Sequence, residues 1–554
     1  MWKTVTALQN RAWWERVAWM GSQAHPVLLG VVAGLLTKVR TGTFDSYVCA
    51  GVVLATLLLR YTLPRAVGRS TRPPPRPHHA LPLEPAGSGR GDGASPPALD
   101  IVGLFKQRLG ENYQLHAQYI NPAWAKVTQL IGYDKIWAKA EGCYLWDTDG
   151  QRTLDCVSGF CVSNIGHNHP LVRQALRATL SASLPNLLQL DCGLLAGLLA
   201  EALVQRIPWL DMVFFANSGS EAIEAALKFA RASTGRRRIL YAHNSYHGVT
   251  YGALSVTGHP MWRTGFEPLV PETSAVPFGD AAALETALAQ GNVAAVVLEP
   301  IQVGAGIIVP DDTYLPRVQA LCRQHQALFV LDEIHTGCGR TGPFLASEHW
   351  QLEPDVICLS KGLSGAMVPV AAVVTRKEVI KGVFSRLDRS CVHASTFMGN
   401  NLAMVSGLAT LHILETEHLF ARCRAMGEYL MQSLAPFKEH YEFVKDVRGR
   451  GLLVGVEFGE PTSFFLRQAW ALMHKINPGL FAQAFTIPLL AEHRILTQVA
   501  GHNEDVLKVA PALVVTKDDI DYFTQALDRV LQAAHTFPGP FWDVSRRLGM
   551  NALF

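Results

Sequence analysis

Short apolar runs, each ending at a polar residue, recur along the chain after residue 98. Met212–Phe215, Val293–Leu298, Leu328–Leu331 and Val356–Leu359 are of this kind. Runs of that length, bounded by turn residues, predict strands buried on both faces, as in a parallel sheet. Between them apolar positions return at helical spacing, most clearly over Ser220–Ala232. Strands alternating with helices predict an α/β fold. No internal repeat is visible.

The first 63 residues follow another pattern. Val27–Leu36 is an uncharged run of ten and Ser46–Leu59 one of fourteen, separated by Lys38 and Arg40. A helix that crosses a bilayer needs about 20 apolar residues. The two runs therefore predict short hydrophobic helices that form a shallow hairpin or lie at a membrane surface, with the second spanning imperfectly as a transmembrane helix, after recruiting Thr43, Phe44 and Tyr61, as the alternative. Trp13, Trp14 and Trp19 precede them, as interfacial aromatics would. Arg60, Arg65, Arg69, Arg72 and Arg76 follow, which predicts the rest of the chain on the cytoplasmic side, with membrane lipids as partners of the N-terminus. The alternative is an ordinary buried helical hairpin. Residues 64–98 contain Pro73-Pro74-Pro75 and no hydrophobic period, which predicts a linker.

Charged residues make up 17% of the chain, which with 49% hydrophobic residues excludes disorder. The 49 basic and 46 acidic residues balance too closely to suggest nucleic-acid binding. Ten scattered cysteines form no Cys-x-x-Cys pair, so free thiols are expected and no metal site.

Three segments suggest chemistry. Asn217-Ser218-Gly219-Ser220-Glu221 lies between a strand and a helix, where small residues expose amides to an anion, and Ser220 is expected to cap the helix. Asp332 ends a buried strand, the usual place for a ligand in α/β proteins. Lys361 follows another strand, and a lysine shielded from water there becomes a neutral nucleophile. Each has a plain structural alternative: a helix cap, a loop cap and a solvated amine.

Their order is more telling. Asn217-Ser-Gly-Ser-Glu-Ala222, Tyr246-His-Gly248, Glu299-Pro-Ile-Gln302, Asp332-Glu-Ile-His-Thr-Gly-Cys-Gly-Arg-Thr-Gly342, Ser360-Lys-Gly362 and Thr396-Phe-Met-Gly-Asn400 follow one another. The segment Val162–Pro170 precedes them. Over roughly residues 100–535 the chain resembles the class III, ornithine- and acetylornithine-aminotransferase-like enzymes that use pyridoxal 5′-phosphate (PLP).

The resemblance implies fold type I: a large domain with a mostly parallel sheet, and a smaller α/β domain built from both ends of the body. The corresponding division is 1–63 hydrophobic segment, 64–98 linker, 99–170 first part of the small domain, 171–415 large PLP-binding domain and 416–554 remainder of the small domain. Lys361 matches the lysine that holds the cofactor and moves the proton, and Asp332 the partner of the ring nitrogen. Gly219 and Ser220 match the phosphate cradle. Tyr246 and Ile334 match the residues on the two ring faces, and Gln302 the side chain near the ring hydroxyl. His247 joins the cofactor set in a supporting rather than catalytic capacity. Thr396 matches a residue that reaches the phosphate of a neighbouring subunit, which implies a homodimer with shared sites. Arg340 is expected to be architectural. His335 stands where the family commonly has Gln; a hydrogen bond within its loop is expected, with an approach to the site as the alternative.

The chain also departs from its relatives. After Gln302 they commonly continue Gly-Glu, whereas Val303-Gly304 stands here. At the position of their substrate-binding arginine stands Lys508, which keeps the charge and loses the bidentate fork. Phe160 and Lys508 are the candidate substrate contacts. The apolar segment Thr462–Glu492 is expected to pack on the small domain or a dimer interface, with a hydrophobic tunnel or membrane-facing lip as the alternative. These features resemble lipid-associated members of the family, hopanoid side-chain aminotransferases among them. The expected activity is amino transfer from a small amino donor to a hydrophobic or lipid-like carbonyl acceptor. The alternatives are a PLP decarboxylase or aminomutase, an aminotransferase of small amines, and a catalytically silent membrane scaffold.

Overall fold

The computed structural model of the protein describes residues 99–476, 480–500, 505–536 and 542. The predicted hydrophobic helices, the linker and the membrane contact fall on residues 1–98, outside the described residues. Among the described residues no helix is long and apolar enough to cross a membrane.

At the centre of the body, Asp100–Phe554, lies a seven-stranded sheet. Its order is Met212–Ala216, Ala371–Thr375, Val356–Leu359, Leu328–Asp332, Val293–Leu298, Arg238–Ala242 and Thr273–Val276. Ala371–Thr375 runs antiparallel to both neighbours, and the other pairings are parallel. The sheet is buried on both faces, and alternate residues of one strand serve opposite layers. Ala295, Val297 and Val330 meet Ala222, Ala226 and Phe229 of the helix Gly219–Thr234. Val296, Leu298 and Leu331 meet Leu284, Leu315, Val318 and Leu321 of the helices Ala281–Ala289 and Tyr314–His325. Each fully buried Leu or Phe contributes about 2 kcal/mol by leaving water.

Two smaller sheets flank this layer in the chain order. Trp137–Glu141, Tyr144–Asp147 and Arg152–Asp155 are antiparallel, and Ile495–Leu496 from the far end of the chain joins them in parallel. Val444–Arg450, Leu453–Phe458, Val506–Val509 and Gln498–Ala500 form the other, wholly antiparallel. The segment Thr462–Glu492 supplies two helices, Phe464–Ile476 and Leu480–Ala491. Phe481, Phe485 and Leu489 are fully buried, and Phe485 stacks on Phe458 at 4.3 Å between ring centroids. The apolar face of the second helix is therefore spent on the core beneath that sheet, in line with the expected packing within the body. Phe464 and Phe465, at the start of the first helix, are exposed.

Candidate active site

The polar residues expected to act together sit at the carboxyl ends of the parallel strands, where the chain turns out of the sheet. Asn217 follows Ala216, Glu299 follows Leu298, Asp332 is a last strand residue and Lys361 comes two residues after Leu359. Parallel strands necessarily bring these ends to one edge.

Asp332 and His247 form the buried polar centre. Nδ1 of His247 lies 2.7 Å from Oδ2 of Asp332, and a carboxylate only accepts, so the histidine donates. The other oxygen, Oδ1, accepts from the Ile334 amide at 3.0 Å. Burial pulls the His247 pKa down, but the bond to Asp332 and the charges of Asp332 and Glu299 outweigh it and leave it raised. Glu299 accepts from the amides of Tyr246 (3.0 Å) and Val303 (3.2 Å) and so ties two site loops together. Its burial, reinforced by Asp332, pushes its pKa up to about 7 against the pull of His247 and the two amides.

The candidate anion cradle is the start of the helix Gly219–Thr234. Ser218, not Ser220, is the cap; its side chain accepts from the Glu221 amide at 3.2 Å. The helix begins one residue earlier than expected because Ser218 is the residue in extended conformation, which leaves Gly219 and Ser220 in the first turn with amides free of helical partners. The packing leaves no room for larger residues. A Cβ on Gly219 would lie 2.9 Å from Cδ1 of Ile334, and one on Gly248 would lie 2.1 Å from Oγ of Ser220. Gly248 also has φ +116°, a left-handed conformation that glycine tolerates. The first helical turn, the Tyr246–Gly248 loop and Ile334 thus lie together, an arrangement that would suit a small anion with a flat group attached. Tyr246 and Ile334 are both half-buried beside Asp332. These residues fit PLP: amides for its phosphate, Asp332 for its ring nitrogen, and an aromatic and an aliphatic side chain for its faces.

Lys361 is held in the left-handed region, φ +34°. Ser360 Oγ donates to the Val370 carbonyl at 3.0 Å and Ser364 Oγ to the Lys361 carbonyl at 2.8 Å, and these bonds pin the strained turn. Burial lowers the Lys361 pKa, opposed by the charges of Asp332, Cys161 and Glu299. Its Nζ lies 3.2 Å from Nδ1 of His335. The expected loop bond of His335 is therefore replaced by a bond to Lys361.

Lys508 lies in the strand Val506–Val509 and is 5% exposed. Its Nζ stands 5.1 Å from the ring centroid of Phe160. Burial lowers its pKa to about 8; Cys161 opposes that, while Lys361 and Arg340 add to it. Phe160 is half-exposed and sits in a turn where Ser158, Gly159, Phe160 and Cys161 all have positive φ. Such a conformation costs about 1–2 kcal/mol per non-glycine residue. Asp155 offsets this by accepting from the amides of Val157 (2.8 Å) and Ser158 (2.9 Å), and Ser158 Oγ donates to the Ala510 carbonyl at 2.6 Å. The turn is thus tied to the strand end that carries Lys508.

The side-chain amide of Gln302 is engaged elsewhere: it donates to the His243 carbonyl at 2.9 Å. Arg340 is fully buried and donates to the carbonyls of Leu452 (3.0 Å) and Pro511 (2.5 Å) and to Oδ1 of Asn164 (2.6 Å). Thr396 is exposed, while its neighbour Ser395 accepts from Asn217 Nδ2 of the same chain at 2.7 Å. Three features had no role assigned from sequence: the His335 contact, the Glu299 clamp and the left-handed turn. Glu299 lay within a quoted motif; the other two leave no local signal beyond Gly159.

Comparisons with known proteins bear on this geometry. The family profile described as "Aminotransferase class-III" matches residues 131–531. The chain is 36% identical over 483 residues to an aminotransferase named PigE from a Serratia species; the match covers 80% of this chain and 57% of the relative, so the chain spans a little over half of that protein. It is 38% identical over 416 residues to a putrescine aminotransferase from Pectobacterium atrosepticum, covering 72% of this chain and 84% of that one. An ornithine aminotransferase structure from Toxoplasma gondii, described as having partial PLP occupancy at its active site, matches with a TM-score of 0.69 at 28% identity, over 78% of this chain and 98% of that one.

Proposed function

This chain belongs to the class-III aminotransferases, which use pyridoxal 5′-phosphate, and we propose that it moves an amino group from a small amino donor to a hydrophobic, lipid-like carbonyl compound. Lys361 carries the assignment: a lysine of lowered basicity at a strand end, beside the buried Asp332–His247 pair.

Bound PLP supplies an electron sink for the substrate carbon that loses its proton. The protein's own residues do the rest. Gly219 and Ser220 would hold the phosphate through first-turn amides. Asp332 would keep the ring nitrogen protonated, and His247 holds Asp332 in place. Lys361 would anchor the cofactor when no substrate is bound and, once free, would take the substrate proton at Nζ as a general base. A Lys361→Ala enzyme that still held the cofactor covalently and transferred nitrogen would overturn this assignment.

Support for a hydrophobic acceptor comes from the substrate side. Lys508 offers one buried ammonium under the Phe160 ring in place of a bidentate guanidinium. Such a group binds a single oxygen and leaves the rest of the molecule to apolar contact. Small diamines are the second reading, favoured by the likeness to the putrescine aminotransferase. Product analysis with long-chain aldehydes against 2-oxo acids separates the two. It also separates transamination, which must release an oxo product from the donor, from decarboxylation or amine migration.

The dimer belongs to the same proposal. Thr396 and Phe397 are exposed, and Leu187, Leu194 and Met398 line one open cavity nearby in the same segment set. A second subunit would cover this apolar surface and receive Thr396 at its phosphate site. Mixed dimers of Lys361→Ala and Thr396→Ala chains then regain activity that neither variant has alone. Residues 1–63 would tether the body to the membrane on its cytoplasmic side and so bring it to a lipid-like acceptor. Full-length protein found wholly in the soluble fraction without detergent would contradict the tether.

A further inference from the structure

A neutral amine that takes a proton from carbon must aim its lone pair at that carbon. Lys361 has a free-rotating end, and burial alone does not orient it. Among the described residues its Nζ has one hydrogen-bond partner, Nδ1 of His335 at 3.2 Å.

The donors and acceptors that the two groups carry fix which way that bond runs. Lys361, Lys508 and Arg340 face it, and Asp332, Glu299 and the Cys161 thiol lie around Lys361. Burial and the three cations push the His335 pKa well below its ordinary value, so the ring is neutral. In its ammonium form Lys361 only donates, so Nδ1 of His335, 3.2 Å away, accepts from it and the proton of the neutral ring sits on Nε2, which is shielded from water and has no partner among the described residues.

We propose that His335 is a positioning residue for Lys361: by accepting one N–H of the amine, it directs the lone pair toward the substrate carbon. The C–H bond breaks and an N–H bond forms at Lys361 Nζ, while the bonding electron pair stays with the carbon. His335 keeps its Nε2 proton and takes none. This role rests on the aminotransferase reading.

Three variants test it. His335→Leu and His335→Met remove the acceptor, and His335→Gln keeps one. Two readouts are taken: single-turnover rates with an α-deuterated amino donor, and acetic anhydride labelling of Lys361 in the cofactor-free protein against pH, followed by mass spectrometry. With Leu or Met the rate falls about 10- to 100-fold and the primary isotope effect grows. Lys361 labelling moves to lower pH, because a neutral acceptor favours the ammonium over the amine. With Gln the rate recovers to within about threefold and the labelling profile stays that of the unmodified protein. Leu and Met proteins with unchanged rate, isotope effect and labelling would overturn the proposal, as would a Gln protein that falls as far as Leu. If Leu does not fold, Met and Gln decide alone. Failure of the unmodified enzyme to release an oxo product from any donor would instead overturn the aminotransferase reading, and labelling would still report on the hydrogen bond.

Discussion

His247 donates through Nδ1 to Oδ2 of Asp332 at 2.7 Å, and both side chains are buried. A buried pair of this kind is costly to break, because the remaining charge has no water to turn to; removing one partner costs on the order of 3–5 kcal/mol. His247→Ala is therefore expected to lower the melting temperature of the cofactor-free protein and to weaken PLP retention. His247→Gln keeps a donor and restores much of both. Thermal unfolding and PLP titration measure the two effects, and identical behaviour of Ala and Gln would show that the hydrogen bond is not what matters.

Glu299 makes stability depend on pH. Its pKa rises from 4.5 to about 7 on burial, so between those values the folded protein holds a proton that the unfolded chain releases. This contribution is present below pH 4.5 and is lost as pH rises through about 7. The raised pKa of His247 acts in the same direction above its ordinary 6.5. Stability is expected to fall by a few kcal/mol across the Glu299 window. Glu299→Gln should flatten that part of the profile in denaturant titrations at several pH values; an unchanged slope would contradict it.

Lys508 gives substrate binding its own pH dependence. With a pKa lowered to about 8, it is charged below that pH and neutral above it. The KM for a carboxylate-bearing donor should rise as pH passes upward through about 8. Lys508→Met is expected to raise that KM about 10- to 100-fold, the worth of one charged hydrogen bond, and to leave an amine without a carboxylate nearly unaffected. Lys508→Arg keeps the charge and removes the step near pH 8. Steady-state kinetics with paired donors separates these outcomes.

Gly248 allows the loop of Tyr246 and His247 to close over the first turn of the cradle helix. An added Cβ would stand 2.1 Å from Ser220 Oγ, at a φ of +116°. Gly248→Ala should cost about 1–3 kcal/mol of stability and weaken PLP binding at the same time. Calorimetry with and without PLP checks both; a variant with unchanged cofactor affinity would place the cradle elsewhere.

The central sheet was legible because each buried strand is an apolar run that stops at a polar residue. Val293–Leu298 and Val356–Leu359 have the bounds read from sequence, and Leu328–Leu331 gains only Asp332. The cradle helix was legible in its apolar spacing but not in its start, since Ser218 and Ser220 are equally good caps by residue type and backbone conformation decides between them. An approach of His335 to the site was legible only as the alternative to a loop bond, and its partner was not: Lys361 lies 26 residues away, and tertiary closeness alone selects it. The left-handed turn at Ser158–Cys161 was hidden for a related reason, because it is held by Asp155 and by the Ala510 carbonyl rather than by its own sequence. Thr462–Glu492 showed its apolar content plainly, and the packing expected of it is what Phe481, Phe485 and Leu489 make against the core beneath the C-terminal sheet.

The most direct test follows the nitrogen. The holoenzyme is given a ¹⁵N-labelled amino donor together with equal amounts of a long-chain aldehyde and 2-oxoglutarate, and the products are resolved by mass spectrometry. The account predicts that the label passes mainly to the aldehyde-derived amine and that Lys361→Ala transfers none. Label found only in glutamate, with the aldehyde untouched, would contradict the hydrophobic acceptor; transfer that survives Lys361→Ala would contradict the site itself.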